Sequence, residues 1–333
     1  MPTTYQQHDV ASYPDTGVAQ DAPGSPANLD FIDDSEIGQI AASDVTILLG
    51  GETGSGKGRF ARQLHHQSTR AGGAFVAVDC AALPESLFES QMFGHKKGSF
   101  TGATCDRVGL IRSADGGTLF LDEIGELGME QQAKLLTFIQ ERTVLPVGGA
   151  ERVSCDVRLI VATHRDLFAM VQRGEFREDL FYRIAVIELN LPSLRERMHE
   201  IPEIVEELIE VKSELLHVES RPPSERFMKQ LMEYHWPGNV RELGNVIERA
   251  LVLSRGECLQ EHTLPQRVRG VTTGCRPEPI GARTTPRSVQ VALEDCDGNK
   301  TEAAKLLGIS RRHLYRMIEK IGVEARESRS QQV

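Results

Sequence analysis

Aromatic residues make up only 5% of this 333-residue chain, and it has a single tryptophan. Its six cysteines (Cys80, Cys105, Cys155, Cys258, Cys275 and Cys296) are widely scattered and form no CxxC pair. That spacing argues against a disulfide framework or a zinc site and fits the reducing cytoplasm. No apolar run approaches the ~18 residues of a membrane span. No basic patch followed by an apolar stretch marks the N-terminus as a secretory signal, so no membrane partner is expected. Lysine and arginine are missing before Lys57, while residues 1–56 carry nine acidic side chains. That segment therefore holds nine of the chain's ten net negative charges. The acidity is local, and it does not exclude nucleic-acid binding elsewhere in the chain.

Residues 1–28 are rich in Pro, Gly, Ser, Asp and Gln. They read as a disordered acidic tail, either merely solvated or competing with DNA for the protein's own basic surface. From 29 to 191, short apolar runs alternate with helical stretches. Val45–Leu49, Phe75–Val78, Thr118–Leu121, Val157–Ala162 and Val186–Leu191 read as buried parallel strands, with helices over Gly58–Thr69 and Glu130–Glu141. This alternation predicts a doubly wound α/β domain. From 192 to 268 helical periodicity takes over, giving a small all-helical subdomain. Asn239, with Glu242 three residues on, reads as the capping box of its last helix. Residues 269–286 form a Gly/Pro/Thr linker, 287–325 a compact third unit, and 326–333 a tail.

Gly51-Glu52-Thr53-Gly54-Ser55-Gly56-Lys57-Gly58 follows a strand and opens a helix, the setting of a phosphate-binding loop. Its backbone N–H groups and the helix N-terminus favour phosphate oxygens, and Lys57 reaches the outer phosphates. The Ser/Thr that normally follows the lysine as a magnesium ligand is Gly58. At the end of the apolar strand Thr118–Leu121, Asp122 and Glu123 place two carboxylates at the sheet edge where ligands bind. Asp122 is expected to hold Mg2+ and Glu123 to polarise an attacking water.

Residues 299–308 read as a capped helix ended by Gly308, followed by a turn, the N-cap Ser310 and a helix over Arg311–Lys320. Two short helices joined this way make a helix-turn-helix. Residues 299–333 carry eight basic and four acidic side chains. Arg311, Arg312, His313 and Arg316 cluster where base edges are read, His313 and Arg316 as base readers and Arg312 on phosphate. Ala292 and Leu293 are expected in a dimer or hairpin core.

Between the two phosphate motifs stands Gly98-Ser99-Phe100-Thr101-Gly102-Ala103. It resembles the GAFTGA loop of sigma-54-dependent transcriptional activators (bacterial enhancer-binding proteins), a branch of the AAA+ ATPases. GGTLFLDEIGEL, FREDLFYR, LPSLRER and WPGNVREL resemble the same family in the same order, and GNKTEAAKLLGISRRHLYR resembles its Fis-type helix-turn-helix. The similarity runs from about residue 39 to 324. It implies an AAA+ core with a helical lid, hydrolysis of ATP with Mg2+, and self-association into a ring, a hexamer in the family, or a mixed ring with a related activator. The implied partners are enhancer DNA and the sigma-54 RNA polymerase holoenzyme, contacted by Gly98–Ala103 and remodelled from a closed to an open promoter complex. Arg177 and Arg183 match the arginines that reach a neighbouring subunit's γ-phosphate. Thr163 matches a polar sensor at a strand end and Arg241 a lid arginine that senses nucleotide.

The chain also departs from the family. Gly58 stands where the family usually has Glu, which places magnesium more heavily on Asp122. Asp79 replaces an Asn that hydrogen-bonds the catalytic Glu and acts as a switch. A like-charge pair of Asp79 and Glu123 is expected to raise one pKa or be held apart. Ser99 replaces Ala and His164 replaces Asn, both read as mild changes. The stretch before Gln39 is short, including the part that helps cradle the adenine, and no N-terminal sensory domain is expected. Two other readings stay open: a DNA-binding regulator with a weak ATPase in a mixed ring, and another AAA+ machine such as a clamp or helicase loader.

Overall fold

A computed structural model describes residues 34–269 of the chain. In chain order the elements are α1 (Asp34–Ala42), β1 (Ile47–Gly50), α2 (Lys57–His66), β2 (Phe75–Asp79), α3 (Glu85–Met92), β3 (Gly94–His95), β4 (Arg107–Val108) and α4 (Leu110–Ser113). Then come β5 (Thr118–Asp122), α5 (Met129–Glu141), β6 (Thr143–Val144), β7 (Val153–Ser154), β8 (Arg158–Thr163), α6 (Leu167–Gln172), α7 (Glu178–Ile184) and β9 (Ile187–Asn190). The helices α8 (Ile201–Leu216), α9 (Glu225–Glu233), α10 (Asn239–Leu253) and α11 (Gln266–Arg269) follow. The tail, most of the linker and the helix-turn-helix expectations lie outside the described residues.

Five parallel strands form the main sheet in the order β2-β5-β8-β1-β9. The central strands β1, β5 and β8 are buried on both faces because helices cover both, whereas the edge strand β9, expected to be apolar on both faces, alternates, with Glu188 and Asn190 exposed. Alternate residues of one strand enter different cores. Ile47, Leu49, Phe120, Ile160 and Ala162 pack with α1 and α2 through Ile37, Ile40, Phe60 and Leu64. Leu48, Leu119, Leu121, Leu159 and Val161 pack on the other face with Phe88, Leu135, Phe138 and Leu180. Each expected strand falls within two residues of its observed place.

Helix α1 is held by an arginine that arrives from the sheet. Arg158 is fully buried, and its guanidinium donates to the Ile40 and Ala41 carbonyls at 2.9 and 2.8 Å. These are carbonyls of the helix C-terminus, Ile40 also accepting from the Ser43 N–H and hydroxyl, and there a cation meets the negative end of the dipole.

The lid is a separate helical core. Val205 and Ile209 of α8, Phe227 and Leu231 of α9, and Leu243, Val246, Ile247 and Leu251 of α10 surround Trp236. The Trp236 indole is fully buried and donates to the Leu231 carbonyl at 2.9 Å.

Asn239 does not cap α10 as its sequence setting suggests. It is the first residue of the helix, at φ 51, and the cap position belongs to Gly238, whose N–H donates to Glu242 at 2.9 Å. The Asn239 amide is needed elsewhere. It accepts from the Leu194 N–H at 2.8 Å and donates to the Thr53 carbonyl and the Glu52 carboxylate at 3.1 Å each. One buried side chain thus ties the lid to the phosphate loop.

Candidate functional site: the phosphate loop and the strand-end carboxylates

The sheet register brings the site together. Asp79 pairs with Asp122, and Gly50 with Thr163, so β2, β5, β8 and β1 all end at one edge. The loop 51–56 rises from that edge. Gly54 has φ 80, and a Cβ there would lie 2.5 Å from the Gly238 carbonyl oxygen, so only glycine lets the lid come this close. The Val240 N–H closes the contact by donating to the Gly54 carbonyl at 3.0 Å.

Two arginines of the LPSLRER segment hold the loop from outside. Arg195 makes a bidentate pair with Glu52 at 2.6 and 2.8 Å. Arg197 is buried and donates to the Ser55 carbonyl at 2.7 Å. The Glu52 carboxyl is held below the usual carboxylate range by its hydrogen bond to Arg195, which outweighs its partial desolvation. Neither arginine stands out by periodicity. The signal for them is the charge pattern of LPSLRER beside a loop that contains Glu52.

Lys57 is 5% exposed. Its ammonium donates to the Gly51 and Glu52 carbonyls at 2.9 and 3.3 Å and lies 3.7 Å from Glu123. Burial pushes its pKa down, and nearby Arg241 adds to this, while Glu123 and Asp122 oppose it. The Asp122 carboxyl is pushed up, first by burial and then by Glu123. The Glu123 N–H, at 3.0 Å, works against that rise. Glu123 has φ 55, a left-handed conformation that costs a non-glycine residue about 1–2 kcal/mol. Such strain at a strand end turns the carboxylate out of the strand direction and over the loop.

The other expected residues fall as follows. Thr163 is buried, and its hydroxyl accepts from the Arg165 N–H at 3.1 Å. Arg241 is exposed at the first turn of α10, in the electrostatic field of Lys57. Asp79 and Glu123 bond to different partners. Asp79 accepts from the Ala81 and Ala82 N–H groups of its own loop at 2.9 and 3.4 Å. Glu123 is engaged instead by His164, whose ring Nδ1 lies 2.6 Å from Oε2. The sequence holds no separate signal for this contact beyond the place of His164 directly after Thr163, at the end of the strand beside β5.

Arg177 and Arg183 make no contact with the phosphate loop of their own chain. Arg177 pairs with Asp179 at 2.7 and 3.0 Å. Arg183 is exposed on α7 and engages no partner among the described residues.

Gly98–Ala103 forms a short excursion between β3 and β4. The Gly98 N–H donates to the Ala103 carbonyl at 2.9 Å, with Gly98 at φ 82 and Gly102 at φ 103. The Lys96–Asp106 pair, at 2.7 Å, and the Lys97 N–H, at 2.8 Å from Asp106, clamp its base. Ser99 sits against Gly148, next to the β6–β7 hairpin. Thr101 is exposed and Ala103 buried. Phe100 is 41% exposed, with its ring edge-on to His95 at 5.0 Å between centroids.

The loop is shaped for phosphate. The Ser55 hydroxyl is buried without a hydrogen-bond partner, Lys57 is held by its ammonium at the loop mouth, and Gly54 leaves no space for a side chain. Gly56 and Gly58 add no side-chain donor, and Thr53 faces the lid through its carbonyl. Among the described residues no group of three or more His, Cys, Asp or Glu side chains could hold a metal alone. One carboxylate, Asp122, is what a magnesium ion shared with phosphates requires.

Fold, phosphate loop, strand-end carboxylates and helical lid together define an AAA+ P-loop ATPase. Residues 31–190 match the family described as Sigma-54 interaction domain. Residues 195–278 match the AAA+ ATPase lid domain, and residues 289–320 match the Bacterial regulatory protein, Fis family. The chain is 43% identical over 311 residues to the Regulatory protein AtoC of Escherichia coli (strain K12), covering 90% of this chain and 67% of AtoC. It is 44% identical over 288 residues to the Transcriptional regulatory protein ZraR of the same strain, covering 84% of this chain and 64% of ZraR. It thus spans about two thirds of these relatives. The crystal structure of NtrX from Brucella abortus in complex with ATP superimposes with a TM-score of 0.64 at 32% identity, over 86% of this chain and 66% of NtrX. The chain belongs to the sigma-54-dependent transcriptional activators.

Proposed function

We propose that this chain hydrolyses ATP between the subunits of a ring and uses the cycle to drive Gly98–Ala103 against sigma-54, opening the promoter complex. The observation that carries the reading is the joining, in one α/β unit, of a phosphate loop and strand-end carboxylates to this glycine-flanked, aromatic-tipped excursion. The relatives' domain descriptions and the ATP complex of NtrX support it.

In this mechanism the loop amides and Lys57 bind the phosphates. Asp122 is the residue to hold Mg2+, which neutralises charge on the phosphates when bound. Glu123 orients and polarises the attacking water. Arg183, with Arg177 once freed from Asp179, serves the neighbouring subunit's γ-phosphate, so hydrolysis requires assembly. Arg241 and Thr163 sense the nucleotide from the lid and the strand end. The Fis-type domain, through Ser310, Arg311, Arg312, His313 and Arg316, anchors the ring to enhancer DNA.

Steady-state Mg-ATP hydrolysis against protein concentration tests this, with Lys57→Ala as control and a sigma-54 pull-down with an ATP transition-state analogue alongside. Turnover that climbs steeply with concentration, vanishes in the control and accompanies sigma-54 capture is expected. Absence of sigma-54 binding in every nucleotide state overturns the reading. A second reading, the low-activity subunit of a mixed ring, draws on Gly58, which offers no oxygen to magnesium. It is favoured if hydrolysis is absent until a related activator is added.

A further inference from the structure

Glu123 has two carboxylate oxygens with different surroundings. Oε1 lies 3.7 Å from the Lys57 ammonium. Oε2 receives two donors from one residue, the His164 backbone N–H at 3.2 Å and the ring Nδ1 at 2.6 Å. With Glu123 ionised, Nδ1 carries the proton and the carboxylate accepts, a short charge-assisted bond.

Other side chains at this edge are committed. The Thr163 hydroxyl accepts from the Arg165 N–H and makes no bond to Glu123, and the Arg165 guanidinium donates to the Gly125 carbonyl and Glu126. Asp79 is an acceptor turned to its own loop amides. Lys57 has closer partners in the Gly51 and Glu52 carbonyls than in Glu123, and a phosphate in the loop would take its ammonium. That would leave His164 as the partner that keeps a strained, φ 55 residue in one orientation.

We propose that His164 is a positioning residue: it fastens Oε2 of Glu123 and leaves Oε1 as the atom presented to the attacking water. This rests on the hydrolytic reading of the site. The neighbouring strand ends β5 and β8 thus supply the base and its orienting donor, and no donor is needed from β2, where Asp79 stands. Orientation of the base acts on the chemical step, while ATP is bound by the loop and lid. Loss of the donor should therefore lower kcat and leave KM alone.

The test compares His164→Ala, His164→Asn and His164→Gln in the full chain by steady-state ATPase kinetics, with thermal melting as a check on folding. His164 is exposed, so all three variants are expected to melt with the wild type. His164→Ala is expected to lose about 30-fold in kcat with KM for ATP within about threefold. An asparagine amide nitrogen lies near the position of Nδ1, so His164→Asn is expected to recover most of kcat. The longer glutamine places its nitrogen near Nε2 and should stay slow. A wild-type kcat in His164→Ala, an equally slow His164→Asn, or a loss carried in KM overturns the proposal while the hydrolytic reading stands. A wild type that binds ATP but never hydrolyses it, alone or with a related activator, sinks the hydrolytic reading and this one with it.

Discussion

At the scale of single residues, the phosphate site is completed by side chains that do not resemble each other. Lys57 is desolvated among carbonyls, Glu123 is strained, Asp122 is pushed toward its protonated form and Ser55 is left without a partner. Under the proposed function, the Lys57 ammonium, the Asp122 carboxyl and the Ser55 hydroxyl are the groups that a magnesium-bound triphosphate would pair with, so much of the binding geometry would be set in advance. Gly58 is the exception, because nothing steric requires it. A Cβ there would meet only the Phe120 ring, at 3.7 Å, an ordinary contact. Gly58→Ser should therefore fold normally and return a hydroxyl to the magnesium side of the loop. The half-saturating magnesium concentration for ATP hydrolysis is expected to fall about threefold or more. An unchanged magnesium titration in a well-folded variant would show that Asp122 needs no help.

At the scale of elements, the phosphate loop is a joint between core and lid. Glu52 is its hub, gripped by Arg195 from the first lid turn and by Asn239 from the start of α10. Because Arg195 holds the Glu52 carboxyl below its ordinary value, the pairing adds stability above about pH 4.5, and that stability is lost as pH falls through the lowered value. Both groups are partly solvated, so the effect is modest. Glu52→Gln is expected to melt about 2 °C below wild type at pH 7, with the gap closing below about pH 4.5. A gap independent of pH would assign the loss to packing instead. This joint also marks the limit of what was legible beforehand. The sheet and the loop were readable because apolar runs of strand length and a glycine-rich turn carry their own local patterns. The core carboxylates followed because a strand end fixes where its next two residues go. Asn239 was misread as a helix cap because its role depends on Thr53, Glu52 and Leu194, all distant in sequence. The His164–Glu123 contact is hidden from the sequence for the same reason, since it depends on a strand pairing and a neighbour's left-handed backbone.

At the scale of the whole molecule, one chain holds a nucleotide site and the arginines proposed to complete another chain's site, but not its own. Arg183 projects from α7 without a partner among the described residues, and Arg177 is parked on Asp179. Under the proposed function, head-to-tail contacts that bring Arg183 to a neighbour's site would close into a ring where the rotation closes, with each site shared between neighbours. Division of labour makes a specific prediction about mixtures. Lys57→Ala chains lack phosphate binding but can still lend Arg183, while Arg183→Ala chains bind ATP and lend nothing. Each variant alone should be inactive. In an equal mixture, random assembly places an intact Lys57 site against an intact Arg183 at about one quarter of interfaces, and hydrolysis should return to about that fraction of wild type. Recovery should need time for subunits to exchange and should disappear on dilution below the assembly range. If Arg183→Ala alone retains turnover and mixing it with Lys57→Ala adds none, Arg183 does not act across the interface. The site would then have to draw its γ-phosphate charge from within the chain, where Arg241 of the lid is the cation already in the field of Lys57.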